Sequence, residues 1–355
     1  MEPIYVYGTG RFYQEFKDEI TKDYKIIAFF DSYRSGEMDG CSIVIPNRSL
    51  LASSAEKILI MCQDIKQCFD ITNTILSLSN GGENSCARRI VWGIAKYGRD
   101  ALKIESLEVM PTGKIRITVN GISICLKNTD EYYNSLDTIY NQCYAYYINN
   151  GKKDVVIDVG MNIGDSTLFF LNNDNVDTIY AYEPFIDTFN EAKENLKSFL
   201  DSNRLKMFQF GLSSETCSKK IRFQRSMSCG QSTNEDINNI AYADYRKMGL
   251  IEGEISEEKI ILKDVVPIFE NIISQHKGKN IVLKMDCEGE EYGIIKRLNE
   301  YNILEKIDFV MLEWHYKGRE RILSALQKAG FSYWFYDKNE KMGLVYAWNM
   351  NNWRR

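Results

Sequence analysis

The sequence is poor in the residues and spacings that build zinc sites and disulfide frameworks. It has two histidines in 355 residues, and its nine cysteines never form a Cys-x-x-Cys pair. Because such pairs are typical of zinc ribbons and thioredoxin-like redox sites, neither class is expected. Scattered cysteines of this kind are typical of reduced thiols, so we expect a cytoplasmic protein.

Long apolar runs and an excess of basic residues are also absent. No stretch approaches the roughly 18 apolar residues of a membrane-spanning helix, and Met1-Glu2-Pro3 leads into a predicted strand rather than a signal peptide. The net charge of −5 disfavours a nucleic-acid partner, whose binding surface is usually basic. Hydrophobic residues make up 44% of the chain and charged residues 26%, which fits a globular protein with room for two domains.

One segment carries most of the functional information. A β-branched run from Val155 ends at Asp158 and is followed by Gly160 and Gly164. This pattern predicts a buried strand, a tight glycine loop and a helix start, the plan that holds nucleotide-like ligands. The dinucleotide fingerprint has three glycines, whereas here an acidic residue precedes only two. Because a carboxylate would repel a pyrophosphate, the loop favours a ligand with cationic groups, such as S-adenosylmethionine.

A second acidic residue stands where such a ligand needs one. Asp177 to Glu183 predicts the next strand, and Glu183 lies about 20 residues beyond Gly164, the offset of a carboxylate that accepts hydrogen bonds from ribose hydroxyls. Pro184 follows at once. The alternative is an ordinary strand-end carboxylate without a ligand.

At these residues the chain resembles the FkbM family of class I S-adenosylmethionine-dependent methyltransferases, roughly over residues 130 to 350. The matching segments are Val156–Gly164, Glu183-Pro184, Gly211–Ser213, Leu283–Glu291 and Glu313-Trp314-His315. The most family-specific feature is a Lys-x-Asp-x-Glu-Gly pattern that begins at Lys284. Met161 and Cys287 depart from the usual family residues without removing a functional group.

The resemblance implies S-adenosylmethionine as the cofactor, with Asp158 and the Gly160–Gly164 loop at its methionine end and Glu183 at its ribose. The cofactor-binding residues that we predict are Asp158, Gly160, Asn162, Gly164, Ser166, Glu183, Pro184, Gly211 and Asp286.

Four carboxylates, those of Asp158, Glu183, Asp286 and Glu313, fall at predicted strand ends. The carboxyl ends of strands line the ligand crevice of an open α/β sheet. Like charges gathered there raise the cost of ionisation, so a cation or ligand is needed to offset them. For Asp286 and Glu288, capping of the following helix is the alternative interpretation.

Asp286 is predicted to border the methyl-transfer site. His315 is predicted to be the general base, because an ordinary histidine pKa of about 6.5 suits that role; a packed structural histidine is the alternative. Glu313 is expected to orient His315, and Glu291 to serve only a helix N-terminus. Because oxygen ligands suit Mg²⁺, Asp286, Glu288 and Glu313 can together hold a divalent metal.

The hydrophobic periodicity and the resemblance predict an α/β fold, a mostly parallel class I methyltransferase sheet closed by an antiparallel hairpin. Core strands are expected near 154–158, 178–183, 205–210, 281–286 and 307–313, and the hairpin over 331–348. Asn80–Ser85 is the clearest linker-like stretch. We therefore predict a small Rossmann-like domain at 1–90 and a methyltransferase domain at 91–355, with its core at about 150–350.

The predicted N-terminal domain has an incomplete nucleotide fingerprint of its own. Gly8-Thr9-Gly10 follows a strand and Asp31 stands about 20 residues further on, but Tyr13 occupies the third glycine position. The segment resembles the N-terminal domain of PglD-type sugar acetyltransferases, which implies a nucleotide sugar as a candidate ligand. NAD binding and a docking role stay open beside it.

We predict an S-adenosylmethionine-dependent O-methyltransferase that acts on a sugar hydroxyl of a glycan or glycoconjugate, as in polysaccharide biosynthesis. The polar segment Arg222–Thr233 suits an acceptor-binding loop, or a surface loop without function. The alternatives are an NAD-dependent nucleotide-sugar oxidoreductase and a non-catalytic cofactor-binding partner in glycan assembly. The acceptor, the methylated position and the oligomeric state stay open.

Overall fold

The computed structural model describes residues 1–53, 55–79, 84–224, 229–234, 237–240, 243 and 255–353. The chain divides into two compact units, Met1–Asn141 and Gln142–Arg355, and each contains its own sheets. Among the described residues, no helix has both the length and the apolar character needed to cross a membrane.

The first unit alternates strands and helices. Its strands are β1 (Glu2–Tyr7), β2 (Tyr24–Phe30), β3 (Gly36–Met38), β4 (Cys41–Val44), β5 (Lys57–Ile60), β6 (Ile90–Trp92), β7 (Ser106–Val109), β8 (Ile115–Val119) and β9 (Ile122–Leu126). Its helices are α1 (Arg11–Asp23), α2 (Arg48–Ser53), α3 (Ile65–Leu78), α4 (Asn84–Ala87), α5 (Gly93–Lys96), α6 (Thr129–Ser135) and a π-helical turn (Leu136–Tyr140).

A six-stranded sheet in the order β3-β4-β2-β1-β5-β6 forms the centre of the first unit. All its pairings are parallel except β3 with β4, as strand–helix alternation predicts. The strands β7, β8 and β9 form a separate antiparallel sheet. A tight hairpin turn at Asn120-Gly121 joins β8 and β9, and both residues have the positive φ that such a turn requires.

The boundary between the compact units lies near residue 141, whereas the sequence placed a domain boundary at residue 90. The physical reason is strand pairing: β6, which follows the linker-like stretch, adds to β5 as the last strand of the first sheet. Residues 80–83 of that stretch lie outside the described residues. Where the methyltransferase domain begins as a functional unit stays a prediction.

The second unit also alternates strands and helices. Its strands are β10 (Asp154–Val159), β11 (Val176–Tyr182), β12 (Leu205–Phe208), β13 (Gly211–Ser213), β14 (Cys217–Gln224), β15 (Ile255–Asp264), β16 (Asn280–Met285), β17 (Phe309–His315), β18 (Phe331–Asn339) and β19 (Met342–Asn349). Its helices are α7 (Asp165–Leu171), α8 (Ile186–Asn195), α9 (Val265–Gln275), α10 (Glu291–Glu300), α11 (Glu320–Lys328) and α12 (Met350–Trp353), with 3₁₀ turns at Lys197–Phe199 and Leu304–Lys306.

The main sheet of the second unit has seven strands in the order β12-β11-β10-β16-β17-β19-β18. The first five strands in this order, β12, β11, β10, β16 and β17, run parallel. Strand β19 lies between β17 and β18 and is antiparallel to both. Every residue of β10, β16 and β17 is buried, as expected for central strands with both faces covered. The predicted α/β fold, mostly parallel with a closing antiparallel hairpin, is confirmed.

A smaller sheet of strands β13, β15 and β14 was not predicted from the sequence. It has its own apolar cluster, which includes Phe185, Ile221 and Phe223. Asp264 ends β15, accepts a hydrogen bond from the backbone N–H of Val266 at 3.0 Å, and binds Arg297 of α10 at 2.7 Å. The small sheet is thereby fastened to two helices of the main layer.

Candidate active site

Four carboxylates stand at the carboxyl ends of neighbouring parallel strands. Asp158 lies near the end of β10, Glu183 directly follows β11, Asp286 directly follows β16, and Glu313 lies near the end of β17. Because these strands are consecutive in the sheet, the carboxylates share one rim, where ligands of open α/β sheets bind.

The glycine loop between β10 and α7 packs directly against the strand end at Asp286. Gly160 has φ +79°, and a Cβ there would lie 1.8 Å from the backbone carbonyl oxygen of Asp286. Gly164 has φ +90°, and its Cβ would lie 2.9 Å from Leu196. Gly160 is therefore required by conformation and by space, and Gly164 by its conformation.

A buried ion pair holds this loop in place. Lys284 Nζ lies 3.1 Å from Asp158 Oδ1, with side chains only 2% and 0% exposed, and donates to the carbonyl oxygen of Gly160 at 2.5 Å. The hydroxyls of Ser166 and Thr167 donate to Asp158 Oδ2 at 2.8 and 2.7 Å. Burial alone would lower the pKa of Lys284, but Asp158 and nearby carboxylates raise it well above its usual range. Both carboxylate oxygens of Asp158 thus have partners within the protein. The hydroxyl of Ser166, which the sequence predicted to contact the cofactor, binds Asp158.

Glu183 is buried against the same loop. Its Oε1 accepts from the backbone N–H of Phe185 at 3.0 Å, and its Oε2 from that of Asn162 at 3.2 Å. Burial raises the pKa of Glu183 to about 8, although both hydrogen bonds oppose the shift. Pro184 packs at 3.4 Å from the position of a Cβ at Gly211. Glu183 therefore stands beside the loop as the sequence predicted, and its role toward a ribose stays a prediction.

His315 lies at the centre of a group of carboxylates and is 2% exposed. Its Nε2 is 3.6 Å from Glu288 Oε1, 3.8 Å from Asp286 Oδ1 and 3.9 Å from Glu313 Oε1. These distances exceed hydrogen-bond length. On the other side of the ring, Nδ1 is 3.3 Å from Glu291 Oε1. The imidazole is therefore held by one carboxylate and faces three others.

Glu291 is the residue that sequence reasoning missed. It is fully buried, and its carboxylate accepts from the backbone N–H groups of His315 at 2.8 Å and Gly289 at 2.6 Å. Its place in the first turn of α10 suggested helix stabilisation alone. Glu313, which was expected to orient His315, instead accepts from Lys338 Nζ at 3.1 Å.

The charges around His315 shift its titration and that of its neighbours. Burial alone would lower the pKa of His315, but Glu288, Glu291 and Glu313 raise it well above its usual value. Burial raises the pKa of Glu288 to about 7 against the opposing charge of His315. Burial would also raise the pKa of Asp286, but Lys284 and His315 hold it below its usual range. The ordinary histidine pKa assumed from the sequence was therefore wrong for this environment.

The same cluster contains a set of atoms suited to a cation. One ligand atom from each of Asp286, Glu288 and His315 lies within 4.8 Å of the others. The sequence placed Glu313 in this set, but that carboxylate already binds Lys338. Tyr144 closes the site by donating to Asp286 Oδ2 at 2.9 Å.

Two other sequence predictions concern Asp31 and the acceptor loop. Asp31 in the first unit accepts from the Thr9 hydroxyl at 2.7 Å and from the backbone N–H of Tyr33 at 2.9 Å. His276, the other histidine of the chain, is half-buried, and its Nε2 lies 2.9 Å from the Tyr180 hydroxyl. In the predicted acceptor loop, residues 225–228 lie outside the described residues.

The strand order and the glycine loop after the first core strand define a class I methyltransferase fold. Residues 158–333 match the family model of the methyltransferase FkbM domain. The chain therefore carries an FkbM domain, and the protein is a methyltransferase.

Several solved structures resemble the chain at low identity. The methyltransferase FkbM from Methylobacillus flagellatus KT is 15% identical, with a TM-score of 0.37, over 98% of this chain and 90% of that one. TrmK of M. capricolum, solved with S-adenosyl-homocysteine, is 13% identical with a TM-score of 0.31, over 59% and 67%. TYW2 of M. jannaschii, solved with AdoMet, is 12% identical with a TM-score of 0.32, over 66% and 84%. No curated protein matches the chain.

Lys284→Met should destabilise the protein by about 3–5 kcal/mol, because it leaves the Asp158 carboxylate buried without a counter-charge. Lys296→Met is the matched control, since Lys296 is 77% exposed and 3.7 Å from Glu300, and should cost less than about 1 kcal/mol. Urea unfolding measures both. Equal losses would show that the buried pair does not hold the site.

Glu183→Gln should change how stability depends on pH. A carboxyl whose pKa is raised from 4.5 to about 8 stabilises the fold while protonated, and this contribution is lost as the pH rises through that range. The melting temperature of the wild type relative to Glu183→Gln should therefore fall between about pH 5 and pH 9, measured without ligand. Exposed Glu215→Gln is the control. Parallel curves for the wild type and Glu183→Gln would contradict the assignment.

Proposed function

We propose that the protein transfers a methyl group from S-adenosylmethionine to a hydroxyl oxygen of a sugar in a glycan or glycoconjugate. The observation that carries the proposal is the rim where the glycine loop, buried Glu183 and the carboxylates around His315 meet. The FkbM domain supports the reaction class, and the resemblance supports the acceptor class.

The residues present fit S-adenosylmethionine. Gly160 and Gly164 form the turns of the loop without a side chain at those two positions, and Glu183 offers carboxylate oxygens beside it for ribose hydroxyls. The carboxylates of Asp286, Glu288 and Glu313 outnumber the nearby positive charges of His315 and Lys338, so the rim suits a cationic ligand. Asp158, with its oxygens already engaged, orders the loop and in this way supports the methionine end. When bound, the cofactor supplies an electrophilic methyl group on a sulfonium sulfur.

His315 is the proposed base, with Asp286 as its neighbour at the transfer site. The imidazole is fixed through Nδ1 by Glu291, so Nε2 is the atom left to accept the hydroxyl proton. In the ligand-free site the carboxylates raise the pKa of His315. A further positive charge at the same rim offsets these carboxylates and lowers that pKa, which makes the imidazole able to accept a proton near neutral pH.

A divalent metal is the second candidate for this cluster. Asp286, Glu288 and His315 would hold it through oxygen and nitrogen atoms, and Mg²⁺ or a similar ion would polarise the acceptor hydroxyl. Glu291 would then orient the histidine ligand, a common arrangement at metal sites.

The remaining hypotheses about binding partners concern the first unit. The Gly8-Thr9-Gly10 turn and Asp31 are the candidate site for a nucleotide sugar, which would support binding of an activated sugar. Asp31 accepts hydrogen bonds from Thr9 and Tyr33, and an NAD ribose at Asp31 is what the alternative oxidoreductase would require. A role in the cytoplasm and in polysaccharide biosynthesis is part of the proposal.

Glu183→Ala should weaken binding of S-adenosylhomocysteine by about 1–3 kcal/mol, because the hydrogen bonds between the ribose hydroxyls and the carboxyl oxygens are lost. Isothermal calorimetry measures the affinity, and Glu215→Ala, at an exposed position, is the control. An unchanged affinity in the Glu183 variant would remove the ribose assignment.

His315→Asn should cut turnover by about 10²–10⁴-fold, the usual contribution of a general base, with S-adenosylhomocysteine affinity retained. Glu291→Gln should cause a smaller loss, since it leaves His315 in place while it weakens the contact that orients the ring and removes one of the charges that raise the pKa of His315. Transfer of a radiolabelled methyl group to a glycan extract measures both. Loss of activity with EDTA that Mg²⁺ restores would assign His315 to a metal instead, and a loss below about fivefold would place the base elsewhere.

A further inference from the structure

Three aromatic side chains on β18 are exposed to solvent beside the candidate site, and Trp334 and Tyr336 are more exposed than Phe335. Trp334 is 56% exposed and Tyr336 is 54% exposed. Strand β18 is the last strand of the seven-stranded sheet. Neighbouring exposed aromatic rings at a sheet edge commonly mark a ligand or partner surface.

Strand register places this pair on the same sheet face as the carboxylates around His315. Tyr336 is opposite Leu344 of β19, and Leu344 is opposite Glu313 of β17. Directly opposite residues point to the same face, so Tyr336 and Glu313 belong to one row. Two interstrand spacings separate their backbones by about 10 Å. Strands β18 and β17 both pair antiparallel with β19, so they run parallel to each other. Tyr336, in the second half of β18, therefore lies toward the same edge of the sheet as His315 at the end of β17.

The rings offer flat apolar faces with polar tips. Trp334 packs against Tyr346 with ring centroids 5.5 Å apart and an interplanar angle of 35°, which fixes its orientation while more than half of its surface stays open. The negative face of an aromatic ring attracts polarised C–H groups. A sugar ring has such a C–H face and a polar edge of hydroxyls. Nearby carboxylates can accept hydrogen bonds from those hydroxyls.

The edge is built in a way that disfavours a second copy of the chain. Lys338 reaches across to Glu313 at 3.1 Å, and Arg319 binds both oxygens of Asp337 at 2.8 and 2.7 Å. The pairing of β18 with β19 shifts register between Asp337 and Asn339. Charged side chains and a register shift of this kind prevent another strand from adding to an edge.

We propose that Trp334 and Tyr336 form an aromatic platform on which a sugar ring of the acceptor stacks while a neighbouring unit occupies the site at His315. The platform rests on the proposed function and extends it, since it requires an acceptor of at least two sugar units. It acts in acceptor binding, so it raises affinity without taking part in methyl transfer.

The test uses the full-length protein saturated with S-adenosylhomocysteine on an array of neutral hexose and deoxyhexose oligosaccharides. Calorimetry then measures the affinity of the best di- or trisaccharide for four proteins. These are the wild type, the double variant Trp334→Ala/Tyr336→Ala, the conservative variant Trp334→Phe, and Phe335→Ala as matched control. Phe335 lies on the same strand but opposite Val345, on the other face, beneath Arg319.

The platform predicts at least tenfold weaker oligosaccharide binding for the double variant, with Trp334→Phe and Phe335→Ala close to the wild type. S-adenosylhomocysteine affinity should be equal in all four. Wild-type oligosaccharide affinity in the double variant would overturn the platform and leave the proposed function standing. The same conclusion would follow if sedimentation showed that the wild type is a dimer and that the double variant is a monomer. No oligosaccharide binding by the wild type would also overturn it. Failure of the wild type to bind S-adenosylhomocysteine would overturn the proposed cofactor, and the platform with it.

Discussion

Deep in the parallel sheet, Asp158 and Lys284 neutralise each other between the two central strands β10 and β16. Water is excluded there, so each charge depends on the other, and removing either one would leave an expensive buried ion. The same ammonium group holds the carbonyl of Gly160. The turn that follows β10 is thereby fixed against the strand end that carries Asp286, and Glu183 accepts a hydrogen bond from the backbone N–H of Asn162 in the same turn.

The second constraint is an excess of negative charge around one imidazole. Glu291 fixes the ring from below, whereas Glu288, Asp286 and Glu313 surround its other nitrogen at distances too long for hydrogen bonds. Such a cluster titrates as a unit rather than as separate residues. In the ligand-free protein the excess of carboxylates already favours binding of a cation, whether that is a sulfonium or a metal ion.

The class of fold and the position of the rim could be predicted from the sequence, because strand ends, glycines and acidic residues follow local spacing rules. The partners of buried charges could not. Nothing local to Asp158 indicates Lys284, and Glu291 looks like an ordinary residue in a first helical turn. Its role depends on the distance between α10 and β17, which only the folded chain sets. The β13–β15–β14 sheet was missed because its pairings join distant segments.

The position of β19 has a consequence for synthesis on the ribosome. This strand follows β18 in the chain yet inserts between β18 and β17. Until it emerges, β17 has an open edge next to His315, and β18 has no strand to pair with. Chains fold largely in the order in which they are made. The wall of the site is therefore completed last, and the edge of β17 is open to chaperones and to aggregation in the interval between synthesis of β17 and synthesis of β19.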